Sequence, residues 1–118
     1  MTDQITVEEL REALRKFAEE RDWNQFHSPK NLSMALCVEA AELLELFQWK
    51  SETETKALDE GDLARAREEL ADVFLYLISL ADRLDVDLGV AAKDKLRVNA
   101  EKYPVSKSFG SSRKYTEI

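Results

Sequence analysis

Apolar residues recur at helical spacing along most of the chain, and polar breaks divide it into four stretches. The first, from about Thr6 to Arg21, sets Val7, Leu10, Leu14 and Phe17 on one stripe, with Thr6 and Glu9 as a capping box. A break from Asp22 to Lys30 carries Trp23, Phe26, His27 and Pro29. A second helix is predicted over about Asn31 to Lys50, with Leu32, Leu36, Ala40, Leu43 and Phe47 as its core stripe. Ser51 to Gly61 has no apolar periodicity and reads as a loop holding at most a short turn. Asp62 is predicted to cap a third helix that runs to about Leu84. Asp87 is predicted to cap a fourth, which ends before Pro104 because proline drives the preceding residue out of helical geometry. The expected fold is all-α, a four-helix bundle over residues 1–104, followed by a tail over 105–118. That tail holds four Ser and one Gly with Lys107, Arg113 and Lys114.

Composition narrows the function classes. At 118 residues the chain suits one domain, and three Gly with two Pro are too few for a fold built on tight β-turns. A net charge of −7 argues against a nucleic-acid polymer as partner. Charge is uneven, however: residues 93–118 hold seven Lys or Arg against three Asp or Glu. The longest apolar run, Val73 to Ile78, is six residues, so no membrane span is expected, and the N-terminal stretch does not read as a signal peptide. Cys37 is the only cysteine, which excludes an intramolecular disulfide and suggests a reducing cytoplasm. Its neighbours Leu36 and Val38 predict a buried thiol.

Acids set among apolar residues carry the chemistry. Glu39 and Glu42 stand three apart on the second helix, with Glu45 extending their line, and Ala35, Val38, Leu46 and Trp49 share that sector. The third helix repeats the pattern: Glu69, Asp72, Tyr76, Ser79 and Arg83 share one face between apolar neighbours. Side by side, the two helices would gather Glu39, Glu42, Glu69 and Asp72. Clustered carboxylates repel in a low dielectric, and a hard dication such as Mg²⁺, or Mn²⁺ in its place, removes the penalty. Solvation or pairing with Lys and Arg is the competing reading. A di-iron site would need Glu-x-x-His motifs, and none exists.

On the fourth helix Lys95, Asn99 and Lys102 share the sector of Leu88, Ala91, Ala92, Leu96 and Val98. Lysines there either snorkel to water or meet an anion such as a phosphate chain. The aromatics Trp23, Phe26, Trp49 and Tyr76 are either core or a stacking surface for a planar base.

Together these blocks resemble a known family. They are Glu20-Arg21-Asp22-Trp23-Asn24-Gln25-Phe26-His27, Pro29 and Asn31-Leu32, then Glu39-Ala40-Ala41-Glu42-Leu43 and Leu46-Phe47-Gln48-Trp49-Lys50. Glu68-Glu69-Leu70-Ala71-Asp72-Val73, Tyr76-Leu77, Asn99, Lys102-Tyr103-Pro104 and Ser111-Ser112-Arg113-Lys114-Tyr115-Thr116-Glu117 complete the set. The chain resembles the MazG-like, all-α nucleoside triphosphate pyrophosphohydrolases, most closely their dCTP pyrophosphatase branch, over nearly its whole length. The resemblance implies Mg²⁺ on Glu39, Glu42, Glu69 and Asp72. It implies a base and sugar pocket shaped by Trp23, His27, Trp49, Tyr76 and Asn99, and phosphate contacts from Lys95, Lys102 and the Arg113-Lys114-Tyr115 tail. It also implies assembly as a homotetramer built from two dimers. One departure is Leu14, where vertebrate members of the branch carry a histidine; the loop Ser51 to Gly61 also differs.

The expected activity is Mg²⁺-dependent hydrolysis of a deoxynucleoside triphosphate, dCTP or a modified dCTP, to the monophosphate and pyrophosphate. Cleavage at the α–β linkage comes from the resemblance. Glu42 or Glu45 would take the proton from water. The rival expectations are the same fold acting on dUTP or phosphoribosyl-ATP, and a non-catalytic helical oligomerisation module.

Overall fold

The computed structural model describes residues 4–118, and every regular element among them is helical. In chain order these are α1 (Val7–Glu20), α2 (Pro29–Phe47), α3 (Glu52–Thr55), α4 (Glu60–Arg83), α5 (Leu88–Lys102) and α6 (Val105–Ser108), with a 3-10 turn at Tyr115–Glu117. The four long helices are the four expected from periodicity. None of the helices among the described residues is long and apolar enough to cross a membrane.

Caps explain where the helices begin. Thr6 accepts the Glu9 amide at 3.1 Å, and Ser28 accepts that of Asn31 at 3.1 Å, with Pro29 in the first turn, where its missing N–H costs nothing. Helix α2 therefore starts two residues before the periodicity suggested. The cap of α4 corrects the sequence reading. Asp59 caps this helix, its Oδ1 accepting the Asp62 amide at 2.7 Å. The Asp62 carboxylate instead accepts from Lys50 Nζ at 2.9 Å and ties the end of α2 to the start of α4. Short α3 occupies the expected loop, closed by a reciprocal capping box between Ser51 and Glu54.

The chain divides into two units, one ending at Asp85 and the other spanning Val86–Ile118. The boundary expected near Pro104 falls inside the second unit, where α5 stops. In the first unit α2 packs most extensively on α4, with α1 laid against α4. Leu32 and Leu46 of α2, Ala66, Ile78 and Ala81 of α4, and Ala18 of α1 are buried. Fully burying a residue such as Leu32 or Ile78 contributes roughly 1.5–3 kcal/mol.

Leu46 enters this core from the acid-bearing sector of α2, whereas Ala40 of the expected stripe is exposed. Both sectors of α2 therefore contribute to the core, since Leu32 of the expected stripe is buried as well, while Val38, Leu44, Leu70 and Phe74 are left exposed on the uncovered side. Cys37 also lies on this open side and is exposed, contrary to expectation, because a helix apolar on all sides gives no neighbour-based clue to its covered face.

Within the second unit, Asp87 caps α5 by accepting the Val90 amide at 3.1 Å. The tail folds back so that Lys102 Nζ lies 4.8 Å from the centre of the Tyr115 ring. Tyr103 meets the same ring edge-on at 5.9 Å.

Candidate active site

Helical spacing brings acids from α2 and α4 to one place. Glu39, Glu69 and Asp72 each offer a carboxylate oxygen within 4.8 Å of the others. Glu39 and Glu69 are half-buried, and each buries its Oε2 without a hydrogen-bond partner. Asp72 is more open. An orphaned buried carboxylate oxygen costs free energy, so the chemistry of this donor set fits a hard cation.

Electrostatics agree. Glu39 is pushed up to about 7, first by burial, then by the carboxyls of Glu42 and Glu69 and the charge of Asp72. Glu69 is raised as well, chiefly by burial; the adjoining Glu39 carboxyl opposes the rise, while Glu42 and Asp72 reinforce it. Glu42 thus stands beside the three-acid cluster and acts on it. Glu45 is turned away and exposed, with Arg65 Nη2 at 3.7 Å from its Oε2.

A cavity of about 420 Å³ opens from Asp72 between α1 and α4. Helix α1 lines it with carbon from Leu10, Ala13, Leu14 and Phe17. The α4 wall contributes Asp72, Leu75, Tyr76 and Ser79, and the loop after α1 contributes Trp23 and His27. That loop is held at several points. Asp22 takes a left-handed turn (φ 54°), the Trp23 amide donates to Ala18 at 2.9 Å, and Arg83 donates to Asn24 Oδ1 at 2.5 Å. Trp23 then lies edge-on to Phe17 at 5.6 Å and to His27 at 6.1 Å.

Of the residues expected to form the pocket, Trp23, His27 and Tyr76 line this cavity beside Asp72. Trp49 lies beyond the end of α2, is 88% exposed, and does not line it. Lys95, Asn99, Lys102, Arg113, Lys114 and Tyr115 belong to the second unit, where Lys107, Ser111, Arg113 and Ile118 line a shallow basic hollow. The sequence reading missed the cavity wall made by α1. Its signal is the stripe containing Leu10, Leu14 and Phe17, together with the departure at Leu14 from the histidine of vertebrate relatives.

The MazG-like family pattern matches residues 34–118, most of the chain and all the carboxylates of the cluster. The chain belongs to the MazG-like family. This MazG-like chain is 49% identical over 115 residues to dCTP pyrophosphatase 1 of Mus musculus, a match covering 96% of the chain and 68% of that protein. Against dCTP pyrophosphatase 1 of Homo sapiens the identity is 46% over the same coverage. The crystal structure of a pyrophosphatase from Archaeoglobus fulgidus DSM 4304 superposes with a TM-score of 0.79 at 39% identity, covering 88% of this chain and 97% of that one.

Proposed function

We propose that this protein is a Mg²⁺-dependent pyrophosphohydrolase that converts a deoxynucleoside triphosphate, dCTP or a modified dCTP, to its monophosphate and pyrophosphate. That it is a nucleotide pyrophosphatase rests on its MazG-like relatives and their shared fold. The observation that carries the finer reading is the contact between two features: a three-carboxylate cluster with orphaned oxygens, and an apolar cavity that begins at one of those acids.

Glu39, Glu69 and Asp72, with Glu42 beside them, would hold Mg²⁺ or Mn²⁺. A bound dication supplies charge neutralisation for phosphate oxygens and a lower pKa for water. Trp23 and Tyr76 present aromatic surface to the base, with His27 alongside. Glu42 is the group proposed to accept a proton from water, since Glu45 is occupied by Arg65. In this reading Lys95, Asn99, Lys102 and the Arg113-Lys114-Tyr115 segment serve the triphosphate and sugar. The exposed apolar faces of α2 and α4 support self-association, and the reading takes the assembly to be a homotetramer working in the cytoplasm.

The test is a panel of dCTP, dUTP, dTTP and phosphoribosyl-ATP, assayed for pyrophosphate with Mg²⁺ and with EDTA. Pyrophosphate from dCTP in Mg²⁺ alone is expected. Release from none of these compounds, or release unaffected by EDTA, would overturn the reading.

A further inference from the structure

Helix α4 spaces the polar groups of the cavity like a ruler. Asp72 stands at the carboxylate cluster, Tyr76 one turn on, and Ser79 nearly one turn beyond that, all lining the same cavity. Seven residues of helix separate Asp72 from Ser79, about 10 Å of rise, comparable with the reach of a sugar and base beyond an anchored phosphate. One further turn along, Asp82 is clamped by Arg15 of α1, with Nε to Oδ2 at 2.9 Å and Nη2 to Oδ1 at 2.6 Å. The wall bearing Ser79 is therefore fastened to α1.

Ser79 is out of keeping with its surroundings. It interrupts the apolar run Leu77, Ile78, Leu80 and Ala81, and the neighbouring Ile78 and Ala81 are buried. Serine is a middling helix former, and Ser79, half-buried on an otherwise apolar stretch of wall, brings a hydroxyl to the cavity lining that is open to a partner. The facing α1 wall offers no polar side-chain atom for the purpose. A ligand with a polar edge would.

We propose that Ser79 is a base-recognition residue whose hydroxyl hydrogen-bonds the polar edge of the pyrimidine seated between α1 and α4. The assignment rests on the function proposed above. A hydroxyl rotates and can donate or accept, so Ser79 serves the amine of cytosine and the carbonyl of uracil alike. What it selects for is a base that has a polar edge.

The experiment compares wild type with Ser79→Ala on three triphosphates: dCTP, dUTP, and a difluorotoluene deoxynucleoside triphosphate, an apolar mimic of a pyrimidine. Loss of one neutral hydrogen bond should lower kcat/KM for dCTP and dUTP about five- to tenfold, mostly through KM. The dCTP-to-dUTP preference should stay as in wild type, and turnover of the apolar mimic should not change. An unaltered kcat/KM for dCTP, or an equal loss on all three compounds, would overturn the role of Ser79 while leaving the proposed reaction intact. A wild type that releases pyrophosphate from none of them would overturn the reaction itself, and this assignment with it.

Discussion

Glu39 on α2 and Glu69 on α4 each bury an Oε2 atom that no donor reaches, and both belong to the same three-carboxylate cluster. Their repulsion weakens the metal-free fold. Glu39→Gln should therefore melt roughly 2–5 °C higher than wild type in EDTA, and Mg²⁺ should raise the melting point of wild type but not of the variant. Differential scanning fluorimetry reads both effects. A lower melting point in EDTA would mean that the acids support the fold rather than strain it.

The same cluster sets a pH dependence. Because Glu39 is raised to about 7 by burial and its acidic neighbours, the folded protein holds this proton more tightly than the unfolded chain does. Its stabilising contribution is complete below the ordinary glutamate range and fades as pH climbs through about 7. A cation needs the ionised carboxylate, so the melting shift produced by Mg²⁺ should grow from pH 5.5 to pH 8 (~ values bracketing that transition). A shift that is flat across this range would contradict the assignment.

Asp82 has the opposite sign. The hydrogen bond from Arg15, and then its charge, hold the Asp82 carboxyl below its ordinary value. The contribution to stability is therefore present above the unfolded value and disappears as pH falls through the folded one. Asp82→Asn should cost about 1 kcal/mol near neutrality, since Arg15 is half exposed and solvent screens the pair. Urea melts of the two proteins should converge in acid; a constant gap would assign the loss to packing.

Much of this was legible in the chain. Thr6 and Asp87 announce their helices, and Glu39, Glu69 and Asp72 meet because acids three apart on packed helices must share a face. Other features depended on competition that sequence does not rank. Asp59 and Asp62 are both competent caps, and Lys50 decides between them by engaging Asp62. Glu45 continues the acidic line of α2, yet it lies exposed beside Arg65 and outside the three-carboxylate cluster. The stripe holding Leu10 and Leu14 does not by itself announce a pocket, because a cavity wall and a core face carry the same apolar pattern.

Outward-facing Leu70 and Phe74 lead to a prediction about assembly. Both are exposed on α4, at 56% and 42%. In a tetramer that covers this face, Phe74→Glu should shift the species seen by light scattering toward monomer or dimer. Wild type and variant of equal mass would move the interface elsewhere.

The most direct test of the central claim is pyrophosphate release from dCTP by wild type and Asp72→Asn, each with Mg²⁺ and with EDTA, alongside circular dichroism of both proteins. The account predicts Mg²⁺-dependent release by wild type and a loss of at least about a hundredfold in Asp72→Asn, with helix content unchanged. Equal release by the two proteins in Mg²⁺ would contradict it.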